Sequence, residues 1–163
     1  MSRQRASGRL LLLSLFAALL FSLAPMPDWL QPLRPFWLAL VLCYWLLEAP
    51  ELVGLGAAFS AGLAADLIFG SLIGEHAMRL TVFAFIILRF RARLRFFPLT
   101  QQAVAVLVLL LNDRVVSLMI RGVTGEAWPS ASFWIAPFVG ALLWPWLFLL
   151  LDDLRLKLRG SPG

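Results

Sequence analysis

The chain has 163 residues, of which 61% are hydrophobic and only 14% are charged. Soluble domains are about 45–50% apolar, so this composition and a mean hydropathy of +0.88 exclude an ordinary soluble protein and indicate an integral membrane protein. The single cysteine, Cys43, excludes a disulfide framework, and the single histidine, His76, has no obvious partners in the sequence for a catalytic or metal site.

The first predicted helix follows a short basic N-terminus. An apolar run over residues 10–24 comes directly after the arginines of Met1–Arg9, a pattern that also fits a signal peptide. The run is at the upper length limit of such peptides, Pro25 and Pro27 follow it at once, and no A-x-A site is present. The sequence therefore favours a retained helix.

The next stretch interrupts the apolar pattern and then restarts it. Residues 25–35 carry four prolines together with Trp29, which is typical of a loop at a membrane interface. Residues 36–47 are apolar again but short for a membrane span, with Trp37 and Tyr44 as aromatic anchors. We therefore expect a second helix here.

A stripe of small residues marks the third predicted helix. Helical i, i+4 spacing places them on one face, where they could pack the bundle or a partner helix: Gly54, Ala58, Gly62 and Gly70. Asp66 shares that face, and a charge facing lipid costs at least ~2.5 kcal/mol. The stripe is therefore predicted to be the inner wall of a bundle; a plain packing helix with one partner for Asp66 is the alternative.

The glycine-rich, apolar segment 70–74 predicts a short re-entrant or buried turn. After the fourth apolar segment comes the densest charge of the chain, a predicted cytoplasmic basic loop formed by Arg89, Arg91, Arg93 and Arg95. Loops of this kind set topology and bind anionic lipid headgroups. Docking of an acidic cytoplasmic partner is the alternative.

The predicted fold is a six-transmembrane-helix bundle in one membrane domain, residues 1–163. The approximate helices are 9–24, 36–47, 52–70, 77–90, 101–123 and 133–151. With both termini in the cytoplasm, the three basic clusters lie inside and only Arg34 and Arg121 lie in outer loops. A five-helix topology would place a dense basic cluster outside, so we expect six spans.

Four charges fall within the predicted spans at similar depth. They are expected to form a neutral intramembrane cluster in the outer half of the bundle: Asp66, Arg79, Asp113 and Arg114. Asp113 and Arg114 are about 100° apart on a helix, so each should seek a partner elsewhere. The cluster could be the floor of a ligand pocket or simply a device that fixes helix packing.

Enzyme motifs are absent from the sequence. There is no G-x-S-x-G, H-E-x-x-H or P-loop pattern, and Ser71 has no base beside it in sequence. The basic residues lie at predicted helix ends, where topology already explains them. We therefore expect no catalysis, no cofactor, no metal and no nucleic acid.

Several short motifs, taken in order, resemble the MreD family of rod shape-determining membrane proteins. They are R-P-x-W at 34–37, Y-W at 44–45, G-x-x-x-D-L-x-x-G-S-x-x-G at 62–74, Q-Q at 101–102 and L-W-P-W at 143–146. Beyond the glycines and Asp66, the motif residues carried over are Arg34, Pro35, Trp37, Ser71, Gly74, Trp144, Pro145 and Trp146. The resemblance covers nearly the whole chain.

The resemblance implies a role in the cell-elongation machinery of rod-shaped bacteria. MreD-like proteins lie in the inner membrane with MreC, near MreB, RodA and the elongation-specific penicillin-binding transpeptidase, and have no known catalysis. The family also resembles the substrate-binding subunits of energy-coupling-factor transporters, which are six-helix bundles with an outward pocket. Two hypotheses follow: a scaffold that binds MreC and tunes peptidoglycan synthesis, or a solute-binding or transport subunit that uses the outer-half cluster.

Overall fold

The computed structural model describes residues 2–160, and the regular secondary structure of that part of the chain is entirely helical. Six α-helices confirm the predicted all-α, six-helix architecture. Their bounds are Ser2–Leu23 (α1), Trp37–Glu48 (α2), Leu55–Phe69 (α3), Glu75–Leu94 (α4), Leu99–Thr124 (α5) and Ile135–Gly160 (α6). Short 3-10 helices, Asp28–Leu33 and Ala131–Trp134, precede α2 and α6.

The helices differ in how well they suit a membrane. Four segments are long and apolar enough to cross one by length and composition: Arg5–Leu23, Asp28–Glu48, Leu99–Thr124 and Ala131–Leu158. The other two helices are less suited, since α3 is apolar but has only 15 residues and α4 ends in arginines. Large apolar side chains such as Leu142, which is 82% exposed, cover the outer surface as lipid-facing groups do.

The centre of the bundle is α2. Ten consecutive residues, Leu38 to Leu47, are buried, and α2 contacts α1, α4 and α6. Two buried aromatic residues of α2 form hydrogen bonds to neighbouring helices. The Trp45 indole donates to the Ser14 hydroxyl of α1 at 2.9 Å, and the Tyr44 hydroxyl donates to Asp152 of α6 at 3.1 Å. The Gly54 stretch, predicted as an inner wall, forms α3, whose one buried face carries Ala58, Gly62, Ala65 and Asp66.

That buried face of α3 packs closely on α4. Gly62 lies against the backbone of Ala77, and a Cβ on Gly62 would lie 2.6 Å from the His76 carbonyl oxygen. Only glycine permits this approach of the two helices. Of the two predicted forms of the turn between them, re-entrant or buried, the buried one is wrong, because Leu72 and Ile73 are exposed.

Three helices extend furthest beyond their predicted bounds. The first begins at Ser2 rather than residue 9, and the last continues to Gly160 rather than 151. The predicted basic loop is instead helical, since α4 includes Arg89, Arg91 and Arg93 and only Arg95 follows it as the C-cap. Arginine is a good helix former and is favourable at a helix C-terminus, which explains the extension of α4.

Candidate functional site

The ends of four helices surround a cavity of about 450 Å³. The C-termini of α1 and α3, the start of α2, the N-terminus of α4 and the middle of α5 contribute to it. Its lining residues are Ser22, Leu23, Arg34, Pro35, Phe36, Ile68, Phe69, His76, Arg79 and Arg114. We call it the basic cavity, because its four ionisable lining side chains are all basic.

Arg79 and Asp113 form a two-point ion pair beside the cavity. Arg79 Nε lies 3.0 Å from Asp113 Oδ1, and Nη2 lies 2.7 Å from Oδ2. Both residues are buried, and Arg79 also lies 3.8 Å from Glu75 and over the Phe36 ring. A forked arginine–carboxylate pair fixes the relative position of α4 and α5.

Asp66 anchors the turn between α3 and α4. Its carboxylate accepts hydrogen bonds from the Ser71 hydroxyl at 2.8 Å, the Gly74 amide at 2.8 Å and the His76 amide at 2.9 Å. Gly74 itself has a φ of +100°, which favours glycine. The carboxylate therefore sits at the N-terminus of α4, where it satisfies free amides and complements the helix dipole.

The same turn brings together a serine, a histidine and an aspartate. His76 Nδ1 lies 2.9 Å from Asp66 Oδ1 and 3.2 Å from the Ser71 hydroxyl. In a serine-nucleophile triad the serine and the aspartate contact different ring nitrogens. Here both contact Nδ1, so the ring does not connect them as a proton relay, and it packs in T-shaped contacts with Phe36 and Phe69.

The four predicted intramembrane charges are satisfied in different ways. The structure pairs Arg79 with Asp113, whereas Asp66 binds the α3–α4 turn. Arg114 is in no ion pair within the described residues; its guanidinium lies 4.4 Å from the centre of the Phe133 ring. Asp113 and Arg114 point to different partners, as neighbours on a helix must.

The small-residue stripe divides in a similar way. Ala58 and Gly62 are buried, with Gly62 against α4. A Cβ at Gly54 or Gly70 would meet no other atom within 4 Å, and both residues lie at the ends of α3 as its caps. The inner part of the stripe is therefore used within the bundle.

The motif residues lie at several places in the fold. Arg34 donates to the carbonyl oxygens of Ser22 and Ala24, so it caps the C-terminus of α1. Trp144 is fully buried and its indole donates to Gln102 at 3.3 Å, whereas Trp146 is exposed. Pro35 is buried, Trp37 is partly buried, and Pro145 lies within α6.

The sequence did not reveal that His76 and Arg34 line the same cavity as Arg79 and Arg114. A usable signal was present for His76, which lies two residues after Gly74 in the first turn of α4 and ten residues after Asp66. For Arg34 the only signal was its position in an outer loop just before a helix.

Comparison with known proteins decides the family. The family model described as rod shape-determining protein MreD matches residues 4–154. The chain belongs to the MreD family. The rod shape-determining protein MreD of Haemophilus influenzae is 36% identical over 149 residues, which cover 91% of this chain and 92% of the relative.

No solved structure matches the chain. The expected likeness to the substrate-binding subunits of energy-coupling-factor transporters is therefore not confirmed. The described residues also hold no group of three or more metal-binding side chains of the histidine, cysteine, aspartate and glutamate types.

Proposed function

We propose that this membrane protein is a non-catalytic subunit of the bacterial cell-elongation complex that binds MreC and regulates peptidoglycan synthesis. The observation that carries the proposal is the MreD family match over residues 4–154. MreB, RodA and the elongation-specific penicillin-binding transpeptidase are the further partners expected nearby. The alternative, a solute-binding or transport subunit, has the basic cavity in its favour but no family match.

The distribution of charge supports an inner-membrane location with both termini in the cytoplasm. The end of α4 meets the end of α2, where Arg91 donates to the Leu47 carbonyl at 2.9 Å. The end of α6 meets the same region, because Arg155 lies 3.6 Å from Glu48. This arginine-rich end of the bundle is the one that the positive-inside rule places in the cytoplasm, where it would also meet anionic lipids.

We place the docking surface for the membrane helix of MreC in a groove between α1 and α6. The small-residue face of α3 is already covered by α4 around Gly62. An apolar cavity of about 360 Å³ lies between α1, α2 and α6, and its α1 side carries the small residues Ser14, Ala17 and Ala18. Small residues in such a groove allow a partner helix to approach closely in lipid.

Copurification with tagged MreC in a mild detergent tests this proposal. The wild-type chain is compared with Ala17→Trp, which fills the groove, and with Val108→Trp, which adds the same ring to an exposed position on α5. We expect MreC to be retained by the wild type and Val108→Trp and lost with Ala17→Trp. Size-exclusion elution and helical content verify that each variant is folded.

Retention of MreC by folded Ala17→Trp would move the docking surface away from the groove while leaving the partner correct. Absence of MreC even with the wild type would contradict the scaffold role. Equal loss with both tryptophan variants would mean that the groove has no specific part in the interaction.

A further inference from the structure

The basic cavity has a charge pattern that the scaffold role does not explain. Its ionisable lining residues are Arg34, His76, Arg79 and Arg114, and none of its lining residues is acidic. Arg79 is buried and the other three are partly buried, and holding cationic groups together away from water is costly unless each has a partner. The hydrogen-bond and ion-pair partners of each basic side chain therefore show whether any of them is left to bind a ligand.

The nearby carboxylates are already engaged elsewhere. The two carboxylate oxygens of Asp113 accept from Nε and Nη2 of Arg79, and Glu75 lies 3.8 Å from the same guanidinium. Asp66 accepts hydrogen bonds from the α3–α4 turn and from the His76 ring. Arg79 and His76 are therefore satisfied without any ligand.

Arg114 is different, because it makes no hydrogen bond or ion pair among the residues that the structure describes. Its contact is with the Phe133 ring, 4.4 Å from the guanidinium carbon, which satisfies one flat face and none of the five N–H groups. Arg34 donates from Nη1 and Nη2 to the carbonyl oxygens of Ser22 and Ala24 and from Nε to the Met26 sulfur, which leaves one N–H on each of Nη1 and Nη2. Both guanidinium groups border the same space.

We propose that the basic cavity binds a phosphate group, held by Arg114 and by the remaining N–H groups of Arg34. Arginine forks match the oxygen spacing of phosphate and bind it through paired, charge-assisted hydrogen bonds. Leu23 and Ile68, 48% and 47% exposed, line the cavity from α1 and α3, so it reaches the bundle surface along an apolar edge. That edge suits the acyl chains of an anionic lipid; free phosphate has the same chemistry without using the edge.

Thermal unfolding of the purified full chain in a neutral detergent tests the site. The probes are short-chain phosphatidylglycerol, short-chain phosphatidylcholine and inorganic phosphate, the last against chloride at matched ionic strength. A probe at about ten times its Kd should raise the Tm by on the order of 3–6 °C. Arg114→Gln should lose this rise, whereas Arg89→Gln, which removes an exposed arginine of α4, should keep it.

The probes separate the two sources of phosphate. A rise with phosphatidylglycerol alone identifies a lipid headgroup, and a rise with inorganic phosphate as well identifies a site for the phosphate itself. The proposal is overturned if neither phosphatidylglycerol nor inorganic phosphate raises the Tm of the wild type. It is also overturned if phosphatidylcholine raises the Tm as much as phosphatidylglycerol does, or if Arg114→Gln responds like Arg89→Gln.

A second variant keeps the test informative if Arg114→Gln does not fold. Ser22→Asp places a carboxylate in the lining of the basic cavity, where it can pair with the guanidinium groups. It should raise the Tm without any probe and remove the response to phosphatidylglycerol. A folded Ser22→Asp variant that still responds like the wild type would contradict the site.

Discussion

At the scale of single residues, the buried carboxylates determine how the polar groups of the bundle are arranged. Asp113 holds α5 to α4 through Arg79, and Asp66 closes the turn that leads into α4. Each carboxylate is satisfied by specific donors, as buried charges must be. Removing one partner should therefore cost much more than removing an exposed charge.

Asp113→Asn should destabilise the protein, because it leaves the buried Arg79 without its carboxylate. Breaking a buried ion pair in this way costs about 3–5 kcal/mol. Asp153→Asn is the matched control, since Asp153 pairs with Lys157 on the exposed surface, where such pairs contribute about 0–1 kcal/mol. Denaturant unfolding in detergent measures both, and equal effects would contradict a structural role for the buried pair.

Asp66→Asn should loosen the α3–α4 turn rather than unfold the bundle. The amide can accept fewer of the hydrogen bonds that now come from Ser71, Gly74 and His76. Hydrogen exchange at the Gly74 and His76 amides should speed up, while Glu126→Gln, in the exposed loop before α6, should leave it unchanged. Unchanged exchange in Asp66→Asn would show that the carboxylate does not hold the turn.

The sequence was enough to identify three of the buried charges, but not Arg155 and not how the charges pair. Asp66, Arg79 and Asp113 stand out because charges are rare in apolar segments. Their partners depend on how far each helix is rotated and shifted against its neighbours, and no local pattern specifies this. The groups that bind Asp66 include backbone amides, which every residue type except proline carries, so the sequence does not single them out.

At the scale of helices, the packing between helices determines which residues are buried more than the pattern of apolar residues does. The i, i+4 stripe on α3 correctly marks a close approach at Gly62, yet the stripe alone could not say which helix lies there. The most buried helix is α2, whose uniformly apolar sequence has no distinct face and which is short for a span. Helix ends were misplaced where arginines continue a helix beyond its apolar stretch.

Gly62→Ala should destabilise the α3–α4 pair, because its new methyl group would overlap the backbone of Ala77. Overpacking of this kind costs about 1–3 kcal/mol. Gly56→Ala is the matched control on the same helix, where a Cβ meets nothing within 4 Å and the change should cause no loss. Unfolding curves of the two variants measure the difference, and a neutral Gly62→Ala would contradict the close approach.

At the scale of the whole molecule, the composition and the order of apolar segments were enough to predict a six-helix membrane bundle. The short outer loops and the basic clusters also predict its orientation. The basic cavity could not be predicted, since its lining comes from five helices or their ends and depends on how these meet.

Labelling with a membrane-impermeant thiol reagent tests the orientation. Cys43 is buried, so introduced cysteines can be read against a low background. Intact spheroplasts should label Trp29→Cys and Glu126→Cys, in the predicted outer loops, and should not label Phe96→Cys, in the connection between α4 and α5. Labelling of all three after the membrane is opened is the control, and the reverse pattern would place both termini outside.

The central claim is that this MreD-family chain supports the rod shape of the cell. The most direct measurement is cell shape in a rod-shaped bacterium depleted of its own MreD-family protein and supplied with this chain together with its matching MreC. We expect rods to be restored when the chain reaches normal levels in the membrane. Round cells despite normal levels of both proteins would contradict the claim.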